Sequence, residues 1–572
     1  MVANVAALAA ETPAWAGKVD TSISITGLNK DDSVKFYKVL AYDQNASAKV
    51  ADATDPKVGA GSWKAVAPFA DMTLADFKAI LSTGITSEIA GRLGAMATTN
   101  VAYTEVANAS GEATHASPDA GLYIAIITPA AGTDTTYNPV FVGADYYTNT
   151  SNGWKVDAST SYADNAVAKK STVTLEKTAK DERTVDDNDE ETVAVGDRIT
   201  FTVTTTIPGF ADNYTKPVFK LSDKMSAGLT YDKGSVKVTV PAGLTKDTEY
   251  TVDETKASGN DYVLSFSDTY LKTVKTATAV TVEYTAVVNS EALQSVNPED
   301  NTVTLNYSTT PDDEEGHGIK RDKTNHYSFD IDANLFGEEN YDATEVVKVG
   351  VDKDGNEITE TIQLDNQHWI GALEGAEFKL YQKDGTTPYT NKFYNADSVF
   401  VSDDNGRLKL KDATEQGIRG LDAGEYLLVE TKAPDGYIKL QQGVTIEIIA
   451  VTEKLTYTET VDGVEVTYEA DALKSYSVKI GGQETANYTM QNQEDGTHKH
   501  LKTDEGDTVV GGTDSESGKP SADKKGKLQN TQGVELPSTG GMGTTILYVG
   551  GSILVILAAI LLITKRRMNA ED

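Results

Sequence analysis

The chain has 572 residues, 51 of them basic and 86 acidic, for a formal charge of −35. That length predicts about three to four domains, each large enough to bury its own core. The negative charge argues against a nucleic-acid partner, because a phosphate backbone would be repelled. There is no cysteine, which excludes disulfides, thiolate metal sites and a cysteine nucleophile; the six histidines are scattered apart from His498 and His500. No metal and no cofactor is therefore expected.

Residues 1–16 read as the remnant of a secretory signal or a disordered terminus, with a mildly apolar Val2 to Ala10 and small residues around Ala14-Trp15-Ala16. From Ser22 to about Asn492 the chain is a succession of short alternating runs rich in Thr, Val and Tyr and broken by Gly, Asn and Asp. A helical insertion is expected near Thr73 to Gly94, inside the first domain. Ile199, Phe201 and Val203 alternate with polar neighbours, as do Val280, Val282, Tyr284 and Ala286, and then Val303, Leu305 and Tyr307. This period of two predicts an all-β protein built from antiparallel sandwiches with one wet face per sheet. Composition sets the boundaries at 17–165, 170–325 and 326–533, and the last of these includes a polar segment, 493–527, that cannot build a core. Ile546 to Thr564 is an apolar run that reaches roughly 28 Å as a helix, enough to cross a bilayer core. Lys565, Arg566 and Arg567 follow it and mark the cytoplasmic side, so nearly everything before residue 545 is expected outside the cell.

Immediately before that span lies Leu536-Pro537-Ser538-Thr539-Gly540. The pentapeptide, the apolar helix and the basic tail, in that order over residues 536–572, resemble the sorting signal of Gram-positive surface proteins processed by sortase. The resemblance implies cleavage between Thr539 and Gly540 and transfer of the threonyl carboxyl to an amine. Pro537 fixes φ and presents an extended peptide at low entropic cost. Gly424 to Tyr437 (GEYLLVETKAPDGY), with Leu373 to Phe378 upstream, is similar to the collagen-adhesin B-type module of pilins and wall adhesins. Leu221 to Met225 and Gly228 to Tyr231 resemble a segment of fimbrial isopeptide-forming domains, with Met225 and Ser226 where that family usually has Leu and Pro, and Asn301 to Leu305 matches its last strand. The whole pattern resembles a major (shaft) pilin with three tandem immunoglobulin-like sandwiches.

Strand parity bears on the chemistry. Lys177 shares a face with Val173 and Leu175, Asp223 with Phe219 and Leu221, and Asn301 with Val303, Leu305 and Tyr307, so all three polar groups point into an apolar interior. Each would cost several kcal/mol alone, unless the three satisfy one another. Burial favours a neutral amine beside a protonated acid. Asp223 could then hydrogen-bond the Asn301 carbonyl and move protons while ammonia leaves, forming a Lys177–Asn301 amide between the first strand and the last.

In the third domain the resemblance gives Glu430 the same promoting role, and Glu430 shares a face with Tyr426 and Leu428. The strand Phe329, Ile331, Ala333 that would end in the reactive lysine ends in Leu335, so Lys348 is taken as the donor, although its apolar neighbours lie on the opposite face. The acceptor is Asn530, from the N-T-x-G before the sorting signal, or Asn492. Relatives place the lysine that receives the next subunit just before the second domain, which here means Lys169 or Lys170. Asp157 to Ser161 and Asp352 to Asn356 have the flavour of cation-binding motifs but lack their context, and Asp186 to Glu191 reads as a solvated acidic loop. The expected role is structural rather than enzymatic: the backbone subunit of a covalent cell-surface pilus, with sortase, identical subunits and cell-wall peptidoglycan as partners and host ligands as further ones. The alternative is a monomeric wall-anchored adhesin binding a host or matrix ligand.

Overall fold

The computed structural model describes residues 18–42, 63–156, 162–182, 191–331, 346–358, 372–500 and 526–533, less short stretches at 83, 132, 151–152, 257–258, 294–297, 312, 357, 405, 414–416 and 493–497. The residues fall into two units. One holds the described residues up to Ser328 together with Ala450–Ser475 and Met490–His500; the other holds Phe329–Ile449, Tyr476–Thr489 and the described residues beyond 501.

The first unit begins with a mixed domain. Its central sheet runs Trp63–Ala65, Ser33–Tyr42, Gly121–Thr128, Val140–Ala144, with Val101–Val106 also on Ser33–Tyr42. The two middle strands are buried on both faces. Val34, Phe36, Tyr123 and Ala125 pack on one side, and Val39, Leu122 and Ile124 on the other. The second face is covered by the helical insertion, which forms two helices, Leu74–Leu81 and Ser87–Met96. Each starts where a threonine side chain accepts from a first-turn amide, Thr73 from Asp76 and Thr86 from Ile89. These are the capping bonds that define a helix start. Arg92 then joins Asp76 across the two helices at 2.6 Å.

The next part is a two-sheet sandwich. One sheet has the order Leu175–Asp181, Arg198–Ile207, Thr278–Val288, Leu229–Tyr231, and the other Tyr250–Asp253, Tyr262–Phe266, Phe219–Met225, Glu299–Tyr307, Gly318–His326. Burial alternates residue by residue along Arg198–Ile207, Phe219–Met225 and Glu299–Tyr307, as the period of two predicts. In the acidic Pro311 to Glu315 segment, the Asp313 carboxylate accepts from the amides of Thr309, Gly316 and His317. Those bonds hold its pKa below the usual carboxylate range despite burial. Also in this unit, Asn325 donates to the Asp471 carbonyl at 2.6 Å, Leu473 donates to the Tyr327 hydroxyl at 2.9 Å, and Arg321 pairs with Glu459.

In the second unit, Glu377–Gln382 pairs with Gly424–Lys432 and with Phe400–Ser402, and a short strand, Phe329–Ile331, pairs with Ile418–Leu421. Val346–Val351 runs parallel to Gly526–Thr531, with Lys348 opposite Leu528 and Gly350 opposite Asn530. All six residues of Val346–Val351 are buried. Glycine makes that covering possible at two points. A Cβ on Gly406, which has φ +74°, would come within 2.5 Å of the Lys348 carbonyl, and one on Gly350 would strike the Tyr437 ring at 2.8 Å.

Candidate functional site

Among the described residues, Lys177 and Lys348 have fully buried side chains, and each lies against a buried carboxyl in a cluster that also holds a buried asparagine. In the first unit, Lys177 stands on the strand Leu175–Asp181, opposite Val203. Asp223 and Asn301 come from the facing sheet, where neighbouring strands pair Asp223 with Val303 and Met225 with Asn301. The pleat therefore puts Asp223 and Asn301 diagonally on one face. Asp223 and Asn301 are fully buried, as is the Lys177 side chain. Lys177 Nζ donates to Asp223 Oδ2 at 2.6 Å.

The chain also brings a fourth polar group that sequence parity counted as core. Tyr284 Oη accepts from Lys177 Nζ at 2.6 Å and from Asn301 Nδ2 at 3.2 Å, and donates to Asp223 Oδ2 at 2.5 Å. Its ring stacks on Phe201 and meets Tyr262 edge-on, so the cluster sits in aromatic surroundings. Lys177 Nζ lies 5.2 Å from the Phe201 centroid. Burial pushes the Lys177 ammonium down and the Asp223 carboxyl up, toward a neutral pair, and raises the Tyr284 phenol well above its ordinary range. Asp322 lies behind the lysine and accepts from the Lys177 backbone amide at 2.7 Å; burial raises its carboxyl to about 6.

Two details differ from the sequence expectation. The expected bond from Asp223 to the Asn301 carbonyl is not made, and Asp223 Oδ1 and Asn301 Oδ1 are both buried without a partner. The strand Glu299–Tyr307 is also not the last of its sandwich, since Gly318–His326 pairs beyond it.

In the second unit Lys348, Glu430 and Asn530 converge. Lys348 Nζ donates to the Leu528 carbonyl at 2.8 Å and lies 3.4 Å from Glu430 Oε1. Asn530 Nδ2 donates to Glu430 Oε2 at 2.8 Å and to the Ile438 carbonyl at 2.6 Å. Glu430 Oε1 and Asn530 Oδ1 have no hydrogen-bond partner. Burial pushes the Lys348 ammonium down to about 8. The parity objection to Lys348 disappears because its strand is buried on both faces, which leaves the lysine nowhere to reach solvent. Asn492 is on the strand Gln483–Asn492, opposite His498, and its side chain is outside the described residues.

Lys169 and Lys170 are exposed: Lys169 lies between Asn165–Val167, which runs parallel to Ser22–Thr26, and Lys170–Thr172, which Lys170 opens and which pairs with Thr135–Tyr137. Asp352 to Asn356 forms a tight turn in which Asp352 Oδ1 accepts from the amides of Asp354 and Asn356. Asp157 to Ser161, Asp186 to Glu190, residues 1–17, the pentapeptide Leu536 to Gly540 and the apolar run Ile546 to Thr564 lie outside the described residues. Among the described residues no helix is long and apolar enough to cross a membrane.

Comparison with known proteins gives three family matches in chain order. Residues 195–311 match the Gram-positive pilin backbone subunit 2, Cna-B-like domain; residues 360–462 match the prealbumin-like fold domain; residues 529–570 match the LPXTG cell wall anchor motif. A curated relative, the trypsin-resistant surface T6 protein of Streptococcus pyogenes serotype M6, is 26% identical over 480 residues, covering 80% of this chain and 81% of its own length. Among solved structures, the T6 backbone pilin of the same serotype superposes with a TM-score of 0.49 at 17% identity, over 89% of this chain and 98% of that one. The major pilin SpaD of Corynebacterium diphtheriae gives 0.40 at 18% identity, over 73% and 88%. Taken with the predominantly β fold, the pilin-backbone and anchor matches and the T6 relative support a cell-wall-anchored, sortase-processed pilus backbone subunit.

Proposed function

We propose that this backbone subunit is welded internally by two Lys–Asn amides, Lys177–Asn301 and Lys348–Asn530, and joined to its neighbours by sortase through Thr539 and Lys169. The observation that carries the internal bonds is the fully buried Lys177 Nζ, 2.6 Å from a buried Asp223 carboxyl and sharing the Tyr284 phenol with Asn301. A lysine so enclosed is costly unless it is neutral, paired or consumed. As a neutral amine it is a nucleophile, and the asparagine amide is the electrophile within its reach. Asp223 and Glu430 promote the two reactions. Tension entering at Lys169 then passes through Lys177 to Asn301 and through Lys348 to Asn530, to leave at Thr539 by covalent bonds.

Intact-mass measurement of the chain tests this reading. Each amide releases one ammonia, so the mass is expected to fall by about 34 Da for the pair, with crosslinked peptides mapping to the four residues. A chain at its full calculated mass sinks the crosslink reading.

For the intersubunit bond, geometry favours Lys169 over Lys170. Lys170 Nζ is engaged with Asn29 Oδ1 at 3.2 Å, whereas Lys169 borders a groove of about 980 Å³ lined by Val140, Phe141, Val167 and Phe210. Lys169→Ala is expected to abolish the high-mass ladder in cell-wall extracts and Lys170→Ala to leave it intact. The reverse result reassigns the acceptor, and a wild-type chain that runs as a single band favours the monomeric adhesin.

A further inference from the structure

The reaction proposed for the second domain has a gap that the geometry exposes. One proton must move from the attacking Lys177 Nζ to the departing Asn301 Nδ2. Asp223 reaches the first nitrogen, and among the described residues the partner recorded for Nδ2 is the Tyr284 phenol. Asp223 Oδ1, the carboxyl oxygen still free to help, has no partner.

We propose that Tyr284 is a catalytic residue of the second domain, carrying the proton from the Lys177 amine to the Asn301 amide nitrogen. The inference rests on the crosslink reading of this site. Its oxygen is within hydrogen-bond distance of both nitrogens, 2.6 Å from Nζ and 3.2 Å from Nδ2, and Asp223 holds it from a third side at 2.5 Å. The balance is simple. Nζ bonds to the Asn301 side-chain carbonyl carbon and the bond from that carbon to Nδ2 breaks. Once Nδ2 loses its conjugation with the carbonyl it becomes basic, takes the phenol proton and leaves as ammonia. The phenol oxygen recovers a proton from Nζ, so Tyr284 ends unchanged and nothing is oxidised or reduced.

The third domain shows why one site needs a phenol and the other does not. Glutamate is one methylene longer than aspartate. Glu430 places Oε2 2.8 Å from Asn530 Nδ2 and Oε1 3.4 Å from Lys348 Nζ, so a single carboxyl spans both nitrogens. The ring recorded over Lys348 is Phe378, at 5.8 Å, and it carries no hydroxyl. In the second domain the shorter acid and the phenol together cover the distance that Glu430 covers alone.

The test follows ammonia loss with time. The full chain, isolated unfolded immediately after synthesis, is refolded and sampled by mass spectrometry with peptide mapping, so the third domain serves as a clock in the same molecule. Tyr284→Phe is expected to slow loss at Lys177–Asn301 by at least about tenfold, given the usual size of general acid–base contributions, and to leave Lys348–Asn530 at the wild-type rate. Equal second-domain rates in the two chains overturn the relay while leaving the crosslink itself standing. If the wild-type chain forms no Lys177–Asn301 peptide at all, the crosslink reading fails, and the relay with it. Should Tyr284→Phe leave the second domain protease-sensitive, Tyr284→3,5-difluorotyrosine decides, because it keeps the hydroxyl and alters its acidity. A changed rate and pH profile supports the relay, and an unchanged rate and profile overturns it.

Discussion

A chain carrying Asp223→Ala is expected to lose one ammonia instead of two, with the missing loss confined to the Lys177–Asn301 peptide. The carboxyl touches the amine at 2.6 Å and steadies the phenol at 2.5 Å, so its removal strips the site of its acid and loosens the remaining proton path together. General acid–base groups contribute about 10²–10⁴ in rate, which turns a reaction completed during folding into one that lags far behind it. Lys177 need not be expelled in this variant, because burial already holds its amine toward the neutral form and Tyr284 still accepts from it. The Lys348–Asn530 peptide is the internal control. Mapping that finds Lys177–Asn301 formed at the wild-type level in Asp223→Ala removes the acid from the mechanism.

Asn301→Ala is expected to cost the most stability. The amide would close a loop of about 120 residues, and the chain-entropy estimate for such a closure is about 5 kcal/mol. For a domain of this size that corresponds to a fall in Tm of about 10–20 °C by calorimetry. The comparison is clean for a structural reason. In Asn301→Ala the Lys177–Asp223 pair is still present and still hydrogen-bonded, so no lone buried charge is added to the loss. A shift of only one or two degrees means that the two residues are not joined in the wild-type chain.

How far the sequence reaches is best judged strand by strand. Phe219–Met225 and Glu299–Tyr307 alternate between buried and part-exposed residues almost without interruption, so parity alone points Asp223 and Asn301 inward. Val346–Val351 shows no such alternation, because all six of its residues are buried, with the Tyr437 ring packed against Gly350. Parity cannot tell inside from outside there, and Lys348 reads as misplaced. Tyr284 is invisible for a different reason. A tyrosine at an inward position is correctly read as core, and only the convergence of two sheets shows that its hydroxyl meets three other polar groups. The helical insertion near Thr73 to Gly94 is legible in the sequence, but its division into two threonine-capped helices is not. The membership of Ala450–Ser475 in the first unit was not, since it depends on bonds such as Asn325 to Asp471 between residues far apart in sequence.

The parallel pairing of Val346–Val351 with Gly526–Thr531 matters before any amide exists. When the chain is drawn out from its two ends, adjacent parallel strands are dragged in opposite directions along their length. The six registered pairs between them are then sheared together and cannot be unzipped one at a time. A freshly exported subunit under traction would hold Lys348 and Asn530 in register long enough for slow bond-making chemistry to finish.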